Sequence, residues 1–214
     1  MATKKAAATA APEVQQINVS LNTNTIRIPI VGVAPLIVSR FDEKSKTEIA
    51  EKAPGKLKQG KKAVSTPEEQ YEKSIYYLSD GKTYGFPAVA FKAAIVRAAK
   101  EVYDFPMTSV RTKLHVIADD PATGYVKING TPQMREDMVR VGAMTKVASP
   151  RYRACFPSWG TVLTIRYISD TFTPEQICGF VNAAGFCCGV GEWRPEKSNS
   201  GSFGLFEIAN TEKK

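Results

Sequence analysis

Apolar residues at helical spacing mark a long segment near the middle of the chain, residues 88–103. They recur at i, i+3, i+4, i+7 and i+11, which places them on one face of a helix. The pattern therefore predicts an amphipathic helix, whose apolar stripe consists of Phe91, Ala94, Ile95, Ala98 and Val102.

Two further helices are predicted from their capping residues. Thr173 is followed by a proline, and Gln176 stands three residues after the threonine, which is the pattern of a capping box. Gly185 is the expected stop of this helix. The same arrangement at Thr66 predicts a short helix to about Tyr77. The buried stripe of the helix after Thr173 comprises Ile177, Phe180, Val181 and Ala184.

Alternating or β-branched segments predict strands between these helices. In "SVRTKLHVIAD" the positions Val110, Thr112, Leu114 and Val116 fall on one side, and in "QMREDMVRVGAM" Asp137 interrupts the alternation. The predicted strands lie at about 25–34, 109–119, 124–130, 133–144, 160–169 and 201–208.

Without the insertions, the order is strand, helix, strand, strand, helix, strand. This order predicts an α+β fold of the ferredoxin-like, split βαβ type, in which an antiparallel sheet carries both helices on one face. We expect a single domain over residues 17–210, with insertions at about 40–84 and 119–159. A low-complexity tail at residues 1–16 is expected to be disordered.

The charge of the chain points to an acidic partner. Its 214 residues carry a net charge of +8, with a pI near 9.3, and such an excess favours nucleic acid or another polyanion. No apolar run reaches the roughly 18 residues that span a bilayer, and the start lacks the apolar region of a signal peptide. We expect a cytoplasmic protein with no membrane partner.

Residues for catalysis are not evident in the sequence. His115 stands within a predicted strand, and the acidic doublets at 42–43, 68–69 and 119–120 fit loops, a helix start and a strand end. The four cysteines lack zinc-ligand spacing and fit small buried residues. The sequence therefore predicts no catalytic residue, no metal and no cofactor. These cysteines are Cys155, Cys178, Cys187 and Cys188.

Basic and aromatic residues alternate in "SPRYRACFPSW" and in "GEWRPEKSNSGSFG". Cations hold phosphates, and aromatic rings stack on the bases of single strands. Alternatively, each aromatic residue packs in the core, and the arginines are exposed to solvent. Trp193 is the strongest candidate for stacking because glycine, arginine and proline surround it instead of an apolar stripe.

Two segments carry a family resemblance. "GFPAVAFKAAIVRAA", residues 85–99, resembles the "P-x-S-S-L-K-G-x-L-R" helix of the RAMP superfamily, whose members form the backbone of CRISPR effector complexes. "GFCCGVGEWRPEKSNSGSFGLFEI", residues 185–208, is similar to that superfamily's glycine-rich loop and last strand. The run "GEWRPEK" is also similar to the end of phage and prophage proteins, so a phage or prophage origin is expected.

The resemblance implies an RRM-related core whose insertions meet a neighbouring subunit. It further implies that Lys92 and Arg97 face an RNA backbone and that the glycine-rich loop lines its path. Ala93 replaces a family glycine, and Glu192 and Glu196 add negative charge beside the loop arginine. The implied loop residues are Gly189, Gly191, Arg194, Gly201 and Gly204.

The sequence thus predicts a non-enzymatic, single-stranded nucleic-acid-binding protein that forms homo-oligomers along its ligand, with RNA favoured over DNA. One alternative is a phage-encoded protein-interaction module that keeps the fold without the ligand; another is a metal-dependent nuclease based on Asp42. The predicted binding residues are Lys92, Arg97, Arg140, Lys146, Arg151, Tyr152, Arg153, Gly189, Gly191, Trp193, Arg194, Lys197 and Phe203.

Overall fold

The computed structural model describes residues 21–40, 65–141 and 147–209. Over these residues the chain is a mixed α/β structure with antiparallel sheets and four helices. In chain order the elements are β1 (Thr23–Gly32), β2 (Leu36–Val38), α1 (Pro67–Ser74), β3 (Gly85–Pro87), α2 (Ala88–Tyr103), α3 (Met107–Lys113), β4 (Leu114–Ile117), β5 (Tyr125–Lys127), β6 (Gln133–Val141), β7 (Val147–Phe156), β8 (Gly160–Ile168), α4 (Pro174–Ala183), a π-helical turn (Ala184–Cys188) and β9 (Phe206–Ile208).

The largest sheet has four strands in the order β4–β8–β1–β9, and each neighbouring pair is antiparallel. Alternation along β1 and β8 buries one face, with Ile28 opposite Leu163 in the register. The other face exposes Arg27 and Arg166. Helices α2 and α4 contact each other and bury their apolar residues in the same core cluster as the first face.

The helix predicted over residues 88–103 is confirmed at both ends. Pro87 precedes it, and Asp104 ends it in the left-handed conformation at φ 57°. Four of the five predicted stripe residues are buried, whereas Val102 is 49% exposed, and Ala99 is buried instead. Helical periodicity keeps Val102 close to the line of Phe91, so its exposure follows from its place in the last turn, one residue before the helix ends at Tyr103.

Both predicted threonine N-caps, Thr66 and Thr173, are present in the structure. The Thr173 hydroxyl accepts from the Gln176 amide at 3.3 Å, and the Gln176 side chain accepts from the Thr173 amide at 3.0 Å, so the capping box of α4 is complete. At α1, the Thr66 hydroxyl accepts from the Glu69 amide at 3.2 Å. The Glu69 carboxylate lies near Lys73, at 3.6 Å, one turn further along the helix.

A second sheet, in the order β2–β7–β6, stands next to the first. Helix α1 packs against β7, where the Ala154 amide donates to the Ser74 hydroxyl at 2.8 Å, and that hydroxyl donates to the Tyr71 carbonyl at 2.6 Å. β2 follows β1 after three residues, so the chain passes directly from the first sheet into the second.

Several predictions of local structure are wrong. The strand predicted at 201–208 forms only at Phe206–Ile208, and β2 and β3 are not predicted from the sequence. Residues 109–113 form the end of α3, because the chain turns helical after Pro106 and becomes extended only from Leu114. Strand β7 was missed, because Pro150 and its arginines obscure the alternation that its pairing with β6 reveals. The predicted tail at 1–16 and most of the basic loop at 40–66 lie outside the described residues.

The expected stop of α4 at Gly185 is also wrong. The helix continues as the π-helical turn and ends at Gly189, whose φ is +65° and whose amide donates to the Ala184 carbonyl at 2.9 Å. Gly185 lies inside the turn because a Cβ there would be 1.8 Å from the Phe206 carbonyl oxygen. The close approach to β9 requires this glycine, and the end of the helix requires the later one.

Candidate nucleic-acid interface

The glycine-rich loop, residues 189–204, folds tightly against the rest of the chain. A Cβ at Gly191 would lie 2.5 Å from the Ile37 carbonyl oxygen, and one at Gly204 would lie 1.7 Å from that of Val190. Gly191 and Gly204 also have positive φ, at 81° and 66°. These glycines therefore allow two segments of the same chain to approach each other closely.

Contact between the loop and the second sheet unites the two basic and aromatic segments of the sequence. The Glu192 amide donates to the Ile37 carbonyl at 2.9 Å, which holds the loop against β2. The Arg135 guanidinium lies over the Phe203 ring, 4.8 Å from its centroid, as a cation–π contact. Residues from the β6–β7 pair and from the loop thus form one continuous surface.

Three arginines share one face of the β6–β7 pair, which we call the cationic face: Arg135, Arg151 and Arg153. The register sets Arg135 opposite Arg153, and Asp137 opposite Arg151, and residues that are directly opposite each other share a face. Arg151 is exposed, whereas the side chain of Arg153 is 18% exposed. The predicted residues Tyr152 and Arg140 belong to the alternate positions and face the other way.

Asp137 lies between two of these arginines. Its Oδ1 accepts from Arg135 Nε at 2.9 Å, and its Oδ2 lies 3.8 Å from a terminal nitrogen of Arg153. Both atoms of the longer pair are buried and have no hydrogen-bond partner among the described residues. One carboxylate therefore faces three guanidinium groups, so the cationic face keeps an excess of positive charge.

Trp193 stands at an unusual position on the loop. Its φ is +56°, and its side chain remains 40% exposed. A left-handed backbone costs about 1–2 kcal/mol for a residue other than glycine, and a substantial part of the residue remains uncovered by packing that could offset this cost. Such an outlier supports the hypothesis that the ring has a ligand.

The other predicted loop cations have different surroundings. Arg194 Nε donates to Glu196 at 3.0 Å, and one of its terminal nitrogens donates to the Gly191 carbonyl at 2.8 Å. This pairing fixes the guanidinium and offsets part of its charge. Lys197 is exposed on the same loop.

The predicted residues on α2 lie apart from the cationic face. Lys92 Nζ is 3.0 Å from Nδ1 of His115 on the edge strand β4, and burial lowers the pKa of the lysine. Arg97 pairs with Glu101 at 3.2 Å. Lys146 lies outside the described residues.

A cleft of about 190 Å³ separates the start of α2 from the glycine-rich loop. Polar and apolar groups contribute about equally to its walls, and its charged groups belong to the loop. Gly189 and Gly191, which the sequence predicts as binding residues, both line it. The lining comprises Ser39, Tyr76, Phe86, Pro87, Ala90, Ala93, Gly189, Val190, Gly191, Glu192, Arg194 and Glu196.

The cysteine thiols and Asp120, from one of the acidic doublets, lie in surroundings typical of residues that stabilise the fold. Burial raises the pKa of Cys155 and Cys178 and raises that of Cys188 to about 11, whereas Cys187 is exposed. The Ser79 amide donates to Asp120 at 2.7 Å and is the main cause that lowers the pKa of this carboxyl to about 2. Asp120 thereby fixes the turn before β5.

Metal-ligand groupings of three or more His, Cys, Asp or Glu side chains are absent from the described ranges. Asp42, the basis of the nuclease alternative, lies outside them. Of the helices described, none has the length and apolar character needed to cross a membrane.

Arg135 and Asp137 were missed among the candidate residues. Asp137 was seen only as an interruption of the alternation in β6, and Arg135 has no aromatic neighbour in the sequence. Their partners come from β7 and from the loop near residue 203, which are distant along the chain. The sequence signal for them is an acid that interrupts the alternation of a strand with two arginines.

No protein-family model matches the sequence, and no curated protein matches it. Solved structures do resemble the fold. A chain in the cryo-EM structure of the Type III-B Cmr-beta bound to cognate target RNA is 10% identical, with a TM-score of 0.50; the match covers 88% of this chain and 60% of that chain. The crystal structure of Cmr6 from Pyrococcus furiosus is 10% identical, with a TM-score of 0.43, over 89% of this chain and all of that chain.

The likeness supports the RAMP-like fold that the two sequence motifs imply, at the level of fold alone. The predicted phage origin and cytoplasmic location stay predictions.

Proposed function

We propose that this protein binds single-stranded nucleic acid, RNA in preference to DNA, along the cationic face and the glycine-rich loop, without catalysing a reaction. We further propose that the four-stranded sheet with α2 and α4 is a ferredoxin-like core. The strand order supports this assignment, because the first strand lies between the third and the fourth and the two helices are the crossovers.

The contact of Arg135 with Phe203 is the observation that carries the proposal. It joins a row of guanidinium groups on a strand pair to a loop that exposes a tryptophan. A strand lying along this junction would place phosphates near Arg151, Arg153 and Lys197. Its bases would then reach Trp193, which provides a stacking surface for any base.

RNA is preferred in the proposal for one further reason. The similar chain with a TM-score of 0.50 comes from a complex described as bound to target RNA, and the motifs resemble those of RNA-associated proteins. The same likeness favours assembly of several subunits along the strand.

Binding should depend steeply on salt. We expect labelled single-stranded RNA to bind in fluorescence anisotropy at about 50 mM salt and to lose affinity by at least tenfold at about 200 mM, because each phosphate contact releases counterions. Single-stranded DNA is the matched comparison, and analytical ultracentrifugation with increasing strand length tests assembly along it. Tight binding that does not respond to salt would contradict the proposal.

Trp193→Asn should separate binding from folding. Asparagine tolerates the left-handed region, and this gain offsets part of the packing lost with the covered part of the ring, so the protein is expected to stay folded. The free energy of RNA binding should become less favourable by about 1–3 kcal/mol, which is the contribution of one stacked base. Urea unfolding and anisotropy on the same variant measure both. Unchanged affinity would exclude Trp193 from the interface.

A protein-interaction module is the second candidate. It is favoured by the pairing of loop and helix cations with acids, Arg194 with Glu196 and Arg97 with Glu101. Exposed apolar side chains offer contact surface: Met138 is 63% exposed and Phe186 is 81% exposed. This function predicts no binding of either strand at about 50 mM salt, where phosphate contacts are strongest.

A further inference from the structure

We propose that the cleft between α2 and the glycine-rich loop takes one cytosine base from the bound strand. The inference rests on the proposed function and adds a base preference to it. The volume of the cleft suits a single base. A cavity of about 150 Å³ lined by apolar side chains holds a benzene ring, so the 190 Å³ cleft fits one six-membered ring with its substituents. This volume admits a base of either ring size, so the choice between the two pyrimidines rests on the edge of the base.

The walls of the cleft suit the faces of a flat ring. Phe86 is 5% exposed, Val190 is 1% exposed, and Pro87 and Ala90 complete the apolar lining. Bases that leave the stack of a single strand are commonly held between such apolar and aromatic groups. A phosphate in this cleft would meet the carboxylates of Glu192 and Glu196, which repel it.

The charged rim of the cleft suits the edge of cytosine. Glu192 and Glu196 supply carboxylate oxygens, which accept from the exocyclic amino group of cytosine. Arg194 uses two of its five N–H donors on Glu196 and on the Gly191 carbonyl. Its remaining donors can serve the ring acceptors beside that amino group.

This assignment gives the two glutamates a role in a site that otherwise binds phosphates. Carboxylates repel a nucleic-acid backbone, but they distinguish an amino group from a carbonyl. Uracil would present its O4 acceptor to Glu192, so two acceptors would face each other. Two acceptors that face each other without a shared donor repel, and the cleft should therefore discriminate against uracil.

The test compares two RNA strands of equal length, an oligouridylate and the same strand with cytosines at intervals. We expect the protein to bind the cytosine strand at least tenfold more tightly, because the exocyclic amino group of cytosine gains a charged acceptor that uracil cannot use. Ala93→Phe fills the cleft from an exposed position on α2, and Glu192→Gln removes the charge of the acceptor. Each is expected to lower the affinity for the cytosine strand toward that of the oligouridylate.

Val102→Phe is the matched control, because it adds the same side chain at an exposed position on α2 outside the cleft lining. It should keep the preference. Equal affinity of the unaltered protein for the two strands overturns the cytosine site and leaves strand binding intact. A preference that survives both Ala93→Phe and Glu192→Gln also overturns it. Absence of binding to any strand at low salt overturns the proposed function, and this inference with it.

Discussion

Gly204→Ala is expected to destabilise the protein by about 3–4 kcal/mol. The φ of +66° penalises any side chain, and the new Cβ would be 1.7 Å from the Val190 carbonyl oxygen. The loop must move to relieve the overlap, and it then loses the hydrogen bonds of Val190 with Gly204 and of Gly204 with Pro35. Thermal unfolding should show a fall in Tm of about 10 °C, at roughly 2–4 °C per kcal/mol for a chain of this size.

Gly81→Ala is a closely matched control for this substitution. Gly81 has the same φ of +66°, but no other group lies within 4 Å of the position that a Cβ would take there. Alanine at this position therefore measures the backbone cost alone, about 1 kcal/mol. If the two substitutions destabilise the protein equally, the close packing of the loop contributes nothing to its stability.

Charge reversal on the proposed interface should weaken RNA binding at least 100-fold. The double variant Arg151→Glu and Lys197→Glu changes exposed residues only, so folding should be preserved. A hydrogen bond to a charged group contributes about 1.5–3 kcal/mol, so removing two of them accounts for this factor. The slope of log affinity against log salt should also fall by about 0.7 for each phosphate of a single strand that is no longer neutralised.

An equal change of net charge elsewhere separates a local effect from a general one. Lys82→Glu and Lys127→Glu also alter exposed residues, on a turn and on β5. This control should weaken binding only slightly, because neither lysine belongs to the cationic face or to the glycine-rich loop. Equal losses of affinity in both double variants would mean that RNA responds to net charge and has no defined path on the cationic face.

Local signals in the sequence predicted local structure well. The cap at Thr173 depends on residues within one turn, and α2 depends on a stripe within a single segment, so both could be found without knowledge of the rest of the chain. The strand β8 was found for the same reason, because its alternation is uninterrupted.

Features that depend on distant residues could not be predicted in this way. β7 becomes recognisable as a strand through its pairing with β6, and Asp137 becomes an ion-pair partner through Arg153. The glycine-rich loop is the clearest case. Its glycines suggest room for a ligand, whereas Ile37 and Val190 occupy the space beside Gly191 and Gly204. A sequence shows that space is needed but not which group fills it.

Packing of the glycines against the backbone has a consequence for the evolution of this fold. Gly185, Gly201 and Gly204 are required for the chain to close on itself, with Cβ overlaps below 2 Å. Distant relatives that have lost every ancestral ligand should still retain them, while exposed arginines are free to drift. Glycines shared between relatives would then indicate a common fold, and only the surrounding cations would indicate a common ligand.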